Sequence, residues 1–280
     1  MAAKNPSRRR RRRRRLRLDL KRSLFLLPNL ITLSSVFCGL FSITESAAAT
    51  QESDFVRAAM LIVFAMFFDL LDGRVARMTK TESAFGLQLD SLADVVSFGA
   101  APALLVYQWS LSRLGLLGLG ISFAFVACGA IRLARFNVLS MAESGAPTKP
   151  GKYIVGLPIP PAAGMLVALV VANQAAGSPA GGDAYVEVVA SVTALLAFFM
   201  VSSIRFRSFK DLRLDLRSAL LVGFTVATSV AIGVKLKPAF VLLWLLVMYV
   251  GMGIGEWLWH IPKRLRRTSR EQPLHEQSGE

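Results

Sequence analysis

Cysteine and histidine are almost absent from this chain of 280 residues, which has two of each. Cys38 and Cys128 lie inside separate apolar runs, and the histidines are His260 and His275. A disulfide framework and a thiolate metal site are therefore excluded. A zinc site built on His or Cys is nearly excluded as well. General-base chemistry in this chain would have to use a carboxylate.

Acidic residues are also few, with 18 Asp and Glu against 33 Lys and Arg and a formal net charge of +15. Residues 1–22, which include the uninterrupted run Arg8 to Arg15, carry +11 of that charge. Two interpretations of the run stay open. It contacts anionic lipid headgroups, at about 1 kcal/mol for each residue near the surface, or it is a solvated tail that enforces orientation. Because no aromatic residue interleaves the run, we expect no nucleic-acid partner.

Long polar stretches are missing between the two ends of the chain, which is 54% hydrophobic. A helix needs about 20 apolar residues to cross the hydrocarbon core of a bilayer. The apolar runs predict an all-α polytopic membrane helix bundle, with a basic tail (1–23), one transmembrane catalytic domain (24–260) and a C-terminal tail (261–280). We place eight spans near 28–45, 57–78, 86–109, 114–137, 157–176, 184–204, 217–234 and 238–259.

Loop charges predict the orientation of these spans, because cytoplasmic loops collect Lys and Arg. Basic residues gather in both tails, at Lys80, and in the segments 138–156 and 205–217. The opposite loops contain Glu45, Glu52, Asp54 and Asp183, with Lys235 and Lys237 as the exception. We therefore expect a multi-pass protein of the cytoplasmic membrane with both termini on the cytoplasmic side.

Four aspartates stand within the second and third predicted spans: Asp69, Asp72, Asp90 and Asp94. At 100° per residue, each pair falls on one stripe of its helix, the first with Gly73 and Ala76 and the second with Gly86 and Ser97. Helices joined by a short loop are expected to be antiparallel neighbours, so the two stripes can face each other. Since Arg77 marks the cytoplasmic end of its helix, the site should face the cytoplasm.

Carboxylates are costly to bury in a membrane, and four that lie close together need cations to offset their repulsion. Oxygen ligands suit Mg²⁺ or Mn²⁺, and a pair of such ions is the usual device for clamping a phosphoryl group. The small residues Gly73, Ala76 and Gly86 would let a phosphate or a flat base approach, and Arg77 could neutralise a phosphate oxygen. For the array as a whole, a divalent-cation transporter remains the alternative from another class.

The frame Asp-x-x-Asp-Gly-x-x-Ala-Arg, eight residues, Gly-x-x-x-Asp-x-x-x-Asp runs from Asp69 to Asp94 and resembles the signature of CDP-alcohol phosphotransferases. That family displaces CMP from a CDP-linked substrate with a hydroxyl group. The resemblance implies two divalent ions, Mg²⁺ or Mn²⁺, on four aspartates, with Asp94 also as general base, and it implies a homodimer. It assigns the CDP pocket to Asp72, Gly73, Ala76, Arg77 and Gly86.

Three further segments resemble the membrane-embedded phosphatidylserine synthases of bacteria and archaea, a branch of that family. They are DSLADVVSFGAAP at 90–102, IRLARFNV at 131–138 and GLPIPPAA at 156–163. This branch implies CDP-diacylglycerol and L-serine as substrates, with phosphatidylserine and CMP as products. The same chemistry with glycerol 3-phosphate or an inositol phosphate as acceptor stays an alternative.

Free serine carries a carboxylate that needs a cationic partner. Arg132 and Arg135 lie one turn apart at the cytoplasmic end of the fourth predicted span, and Arg suits bidentate carboxylate binding. Asn137 and Lys152 are weaker candidates for the same role. The alternative is that both arginines anchor the helix at the membrane surface or bind lipid phosphate.

Overall fold

The computed structural model describes residues 20–79, 81, 83–140, 153–177, 183–202 and 205–207, with short helical stretches at 228–229, 240–241, 243–248 and 250–251. Several sequence-based predictions lie outside these residues. They are most of the basic tail, the C-terminal tail, Lys80, Lys152 and the greater part of the predicted spans 217–234 and 238–259.

Helices dominate the described chain. They are α1 (Leu20–Ala48), α2 (Glu52–Thr79), α3 (Ala84–Asp94), α4 (Ala101–Trp109), α5 (Leu116–Ser140), α6 (Ile159–Ala176) and α7 (Asp183–Val201). A π-helical segment, Val95–Ala100, joins α3 to α4, and a 3-10 turn, Leu111–Leu114, precedes α5. Two short strands, β1 (Tyr153–Val155) and β2 (Arg205–Arg207), follow α5 and α7.

The predicted all-α membrane bundle is confirmed. Four described helices are long and apolar enough to cross a membrane: Leu26–Ala48, Ala84–Trp109, Leu116–Leu139 and Ile159–Ala176. Each lies within a few residues of a predicted span. The apolar helix Tyr185–Val201 is shorter, and α2 has the length to cross but carries the charges of the site. The predicted number of eight spans is not confirmed.

Helices α1 and α2 form the most extensive helix pair in the described chain. Small buried residues of α2, Ala58, Ala59 and Ala65, let the two backbones approach closely. The hydroxyl of Ser42 donates to the carbonyl of Ala58 at 2.8 Å and joins the helices away from the aspartates. This pair provides one wall on which the site is built.

The rod formed by α3, the π-helical segment and α4 crosses α1 at a tight contact. Ser97 donates from its hydroxyl to the carbonyl of Ser35 at 3.0 Å. A Cβ atom added at Gly39 would stand 2.8 Å from the Cα of Ser97, so only glycine fits there. Because Ser97 lies one turn after Asp94, this contact fixes where that aspartate stands.

The connection after α5 folds back onto the end of α7. Strands β1 and β2 pair antiparallel, with Ile154 opposite Phe206, and the amide of Leu157 donates to the carbonyl of Phe199 at 3.0 Å. Gly156 has a φ of 80°, which a side chain would strain. This small sheet was not predicted from the sequence, since neither three-residue strand carries a periodic pattern.

Candidate active site

Three aspartates from two helices meet at one point. Asp69 and Asp72 come from the second half of α2, and Asp90 comes from α3. One carboxylate oxygen from each lies within 4.8 Å of the others. Asp72 is only 5% exposed, and the other two are half-buried. The facing stripes predicted from helical phase are therefore present in the fold.

Asp94 completes this group at its deeper end. Its carboxyl group interacts electrostatically with that of Asp69, and it is 8% exposed. Of the two clustered aspartates of α2, Asp69 is the farther from the α2–α3 connection, and Asp94 is the corresponding residue of α3. The pairing of these two is what an antiparallel arrangement requires.

The predicted second and third spans are neighbours, as expected, because α2 packs against α4 and touches the π-helical segment. The backbones of α2 and α3 themselves scarcely touch, whereas α1 packs against both of them. The aspartate side chains of α2 and α3 meet in the space between these two backbones. Mutual repulsion of the aspartates disfavours close packing of α2 on α3, and a space between them is what a phosphate and its cations would need.

Helix α1 contributes two residues that the sequence reasoning missed. Thr32 is buried; its hydroxyl donates to the carbonyl of Pro28 at 3.0 Å and interacts with the carboxyl group of Asp72. The Oδ1 atom of Asn29 lies 3.9 Å from where a Cβ of Gly86 would stand. Asn29 and Thr32 lie three positions apart, on one face of α1. That spacing is the signal that could have found them.

The carboxylate oxygens fit a divalent-cation site. Oδ2 of Asp72 and Oδ1 of Asp94 are buried without a hydrogen-bond partner among the described residues, which is costly for a carboxylate unless a cation compensates it. Two oxygens bound to one Mg²⁺ or Mn²⁺ at about 2.1 Å stand up to roughly 4.2 Å apart, a separation close to the spacing of this cluster. Oxygen-only donors favour these hard ions.

The predicted CDP-binding residues lie beside this cluster, on the last turns of α2 and the first turn of α3. A Cβ atom at Gly73 would meet nothing within 4 Å, so the wall is open there. Arg77 is exposed and donates from Nε to the carbonyl of Gly73 at 2.8 Å. On α3, the amide of Gly86 donates to Oγ of Ser83, the residue that caps this helix, at 3.0 Å. Ala76 is half-buried on α2.

The three residues predicted to bind serine occupy different environments on α5. Arg132 is 9% exposed, and its charge acts on Asp94. Its guanidinium lies 5.7 Å from the ring centroid of Phe136. Arg135 is exposed, and Asn137 is buried in hydrogen bonds to α3. Of these three residues, Arg132 is the one whose charge interacts with Asp94.

Comparison with known proteins gives one family and a consistent set of relatives. The model of the CDP-alcohol phosphatidyltransferase family matches residues 25–201. A CDP-diacylglycerol–serine O-phosphatidyltransferase of Helicobacter pylori is 38% identical over 240 residues, which cover 86% of this chain and 94% of that protein. A protein of the same name from Bacillus subtilis is 33% identical over 186 residues, or 66% of this chain and 91% of that protein. An archaetidylserine synthase of Methanothermobacter thermautotrophicus is 38% identical over 143 residues, or 50% and 56%.

Proposed function

The chain belongs to the CDP-alcohol phosphatidyltransferase family, and we propose that it transfers the phosphatidyl group of CDP-diacylglycerol to the hydroxyl of L-serine. The products would be phosphatidylserine and CMP. The observation that carries this proposal is the cluster of Asp69, Asp72 and Asp90 with the buried Asp94 next to it, whose charge Arg132 offsets. Relatives that align over most of their length and carry the serine transferase name support the acceptor.

We assign the four aspartates to the binding of two divalent ions, Mg²⁺ or Mn²⁺. Such ions, when bound, polarise the β-phosphate of the CDP-linked lipid and offset the charge that develops on it. The buried, unpartnered oxygens of Asp72 and Asp94 support this assignment. The aspartate side chains would hold these ions in place, since carboxylates alone repel a phosphate.

Asp94 would act as the general base. It is the most deeply placed aspartate of α3 and lies close to Arg132, where the carboxylate of free serine would bind. The hydroxyl proton of serine moves to an Oδ atom of Asp94 while the serine oxygen bonds to the β-phosphorus. The bond from that phosphorus to the oxygen bridging to CMP breaks, and CMP leaves with the electron pair.

Arg132 is our candidate for the serine carboxylate. Its burial strips water from the guanidinium, and an arginine in that setting binds a carboxylate strongly and in a fixed orientation. Phe136 shields one face of the guanidinium. The arrangement would place the serine hydroxyl towards Asp94, on the same side as the phosphate.

The CDP group would occupy the mouth between α2 and α3. Gly73, Ala76 and Gly86 supply a wall without bulky side chains, and Arg77 stands beside it to neutralise phosphate oxygens. Asp72 completes the pocket at the metal end. Asn29 and Thr32 of α1 lie against this wall from the other side.

We place the protein in the cytoplasmic membrane, with both termini and the mouth of the site on the cytoplasmic side. The arginines Arg74 and Arg77 at the mouth, and Arg135 on α5, support that orientation. The lipid tails must reach hydrocarbon sideways while serine and CMP exchange with the cytosol, so the cavity opens both ways. We further propose a homodimer, as the family resemblance implies.

An acceptor panel tests the proposed reaction. Purified protein in detergent with labelled CDP-diacylglycerol should form a labelled lipid with L-serine, and none with glycerol 3-phosphate or an inositol phosphate. A product with another acceptor would show the same chemistry with a different substrate. Divalent-cation flux in proteoliposomes without CMP release would show that the protein is a transporter and not this enzyme.

A further inference from the structure

We propose that Asn137 is a positioning residue that holds Arg132 beside Asp94 by joining α5 to α3. The side chains of Asn137, Ser91 and Gln88 form what we call the clasp. This proposal rests on the proposed function, because the role it assigns lies in the serine-dependent step. It replaces direct contact between Asn137 and free serine.

The hydrogen bonds of the clasp use both amide hydrogens of Asn137. Its Nδ2 donates to Oγ of Ser91 at 2.9 Å and to Oε1 of Gln88 at 3.1 Å. The hydroxyl of Ser91 in turn donates within its own helix to the carbonyl of Leu87, at 3.1 Å. A buried amide whose two hydrogens are already donated has none left for the carboxylate of free serine.

The clasp joins the turn of α3 that carries the aspartates to the turn of α5 that carries Arg132. Ser91 follows Asp90 directly and precedes Asp94 by three residues. Along the last turns of α5, the buried residues Gly129, Arg132, Leu133 and Asn137 mark the one face that turns inward. Arg132 and the clasp therefore belong to the same contact between the two helices.

The direct contact between α3 and α5 is short, whereas the π-helical segment and α4, farther along the same rod, pack more extensively against α5. The clasp is therefore a large part of what holds this end of α5 to α3. Losing the clasp should let that end of α5 move away from α3, which separates Arg132 from Asp94. The nucleotide wall at Gly73 and Gly86 lies on α2 and on the first turn of α3, where α1 supports it, so its geometry should change less.

Variants of the clasp test this role through the Michaelis constants for the two substrates. Asn137→Ala and Ser91→Ala should each raise the KM for serine roughly tenfold, as expected from losing one or two ordinary hydrogen bonds. The KM for CDP-diacylglycerol should stay within about twofold of the wild type. The double variant should be no worse than the poorer single variant, because both changes break the same unit. Ser91→Thr keeps the hydroxyl and should retain the wild-type KM.

A matched control removes a buried interhelical hydrogen bond far from the site. Ser42→Ala deletes the bond to the carbonyl of Ala58, a residue about 16 Å along α2 from Asp69. It should lower the melting temperature in detergent without changing either KM. Gln88→Ala, which removes one hydrogen bond from an exposed residue, gives a milder clasp variant if the others fold poorly.

Two results would overturn the clasp while leaving the proposed reaction intact. One is a raised KM for serine in Asn137→Ala with wild-type values in Ser91→Ala and Gln88→Ala, which would mean that Asn137 contacts serine itself. The other is an equal rise of both Michaelis constants, which would reduce the clasp to general support of the fold. A wild-type protein without serine-dependent CMP release would instead overturn the proposed function, and the role of the clasp with it.

Discussion

The carboxyl groups of Asp69 and Asp94 interact through their charges, although they stand on helices whose backbones scarcely touch. Two neighbouring carboxylates repel each other unless a proton or a cation offsets their charge. The fold keeps them together by packing both helices on α1. That relationship is the physical basis for a site that binds cations and a phosphate in the space between α2 and α3.

Replacing the proposed base should stop turnover without unfolding the protein. Asp94→Asn keeps the size of the side chain but cannot accept the serine proton, and a general base contributes about 100-fold or more to a rate. We expect kcat for CMP release to fall by at least that factor, with an unchanged melting temperature in detergent.

Asp54→Asn is a matched control for that variant. Asp54 lies on the first turn of α2, away from the site, where its carboxylate accepts from the amides of Thr50 and Gln51 at 2.9 and 3.0 Å. Losing this cap should lower thermal stability and leave kcat near the wild-type value. Wild-type turnover in Asp94→Asn would remove the base assignment.

Removing one carboxylate of the cluster should weaken metal binding more than it destabilises the fold. Asp72→Asn deletes a charged, buried ligand, and we expect the concentration of Mg²⁺ or Mn²⁺ needed for half-maximal activity to rise by at least about tenfold. Calorimetric titration of the purified protein with Mn²⁺ measures the same loss without turnover. An unchanged metal requirement would exclude Asp72 from the metal site.

Replacing the buried Arg132 should change the kinetics for serine much more than those for CDP-diacylglycerol. Arg132→Ala leaves the serine carboxylate without its partner, and a charged hydrogen bond contributes about 1.5 to 3 kcal/mol. The KM for serine should rise roughly tenfold to 100-fold, with a much smaller change for CDP-diacylglycerol. Arg135→Ala, one turn away on an exposed position, should have the smaller effect. An unchanged serine dependence in Arg132→Ala would contradict this role.

The contact between α1 and the π-helical segment should tolerate no side chain. Gly39→Ala would place a methyl group 2.8 Å from Ser97 and force the backbones apart, at a cost of about 1 to 3 kcal/mol. Both the melting temperature and kcat should fall, since Asp94 lies one turn before Ser97. Gly120→Ala on α5 meets no neighbour within 4 Å and should be neutral or slightly stabilising. Equal behaviour of the two variants would show that the contact is looser than the structure indicates.

The part of the site that follows helical periodicity could be predicted from the sequence. Spacings of three and four residues put Asp69 with Asp72 and Asp90 with Asp94 on single helix faces, and the structure brings these faces together. The apolar lengths predicted the long spans to within a few residues. Both predictions depend only on local geometry that every α-helix shares.

What sequence could not supply depends on contacts between distant helices. Asn29 and Thr32 reach the site because α1 packs against both α2 and α3. The burial of Arg132 and the exposure of Arg135 follow from the rotation of α5, which is set by its neighbours. The π-helical turn after Asp94 has no periodic signal either, and the close approach of its Ser97 to Gly39 is a contact between distant residues.

Release of CMP from CDP-diacylglycerol by the purified wild-type protein tests the central claim most directly. We predict release that requires both L-serine and a divalent ion, that stops on addition of EDTA, and that is lost in Asp94→Asn. CMP release that persists unchanged in EDTA, or the absence of any serine-dependent release with Mg²⁺ or Mn²⁺ present, would contradict the account.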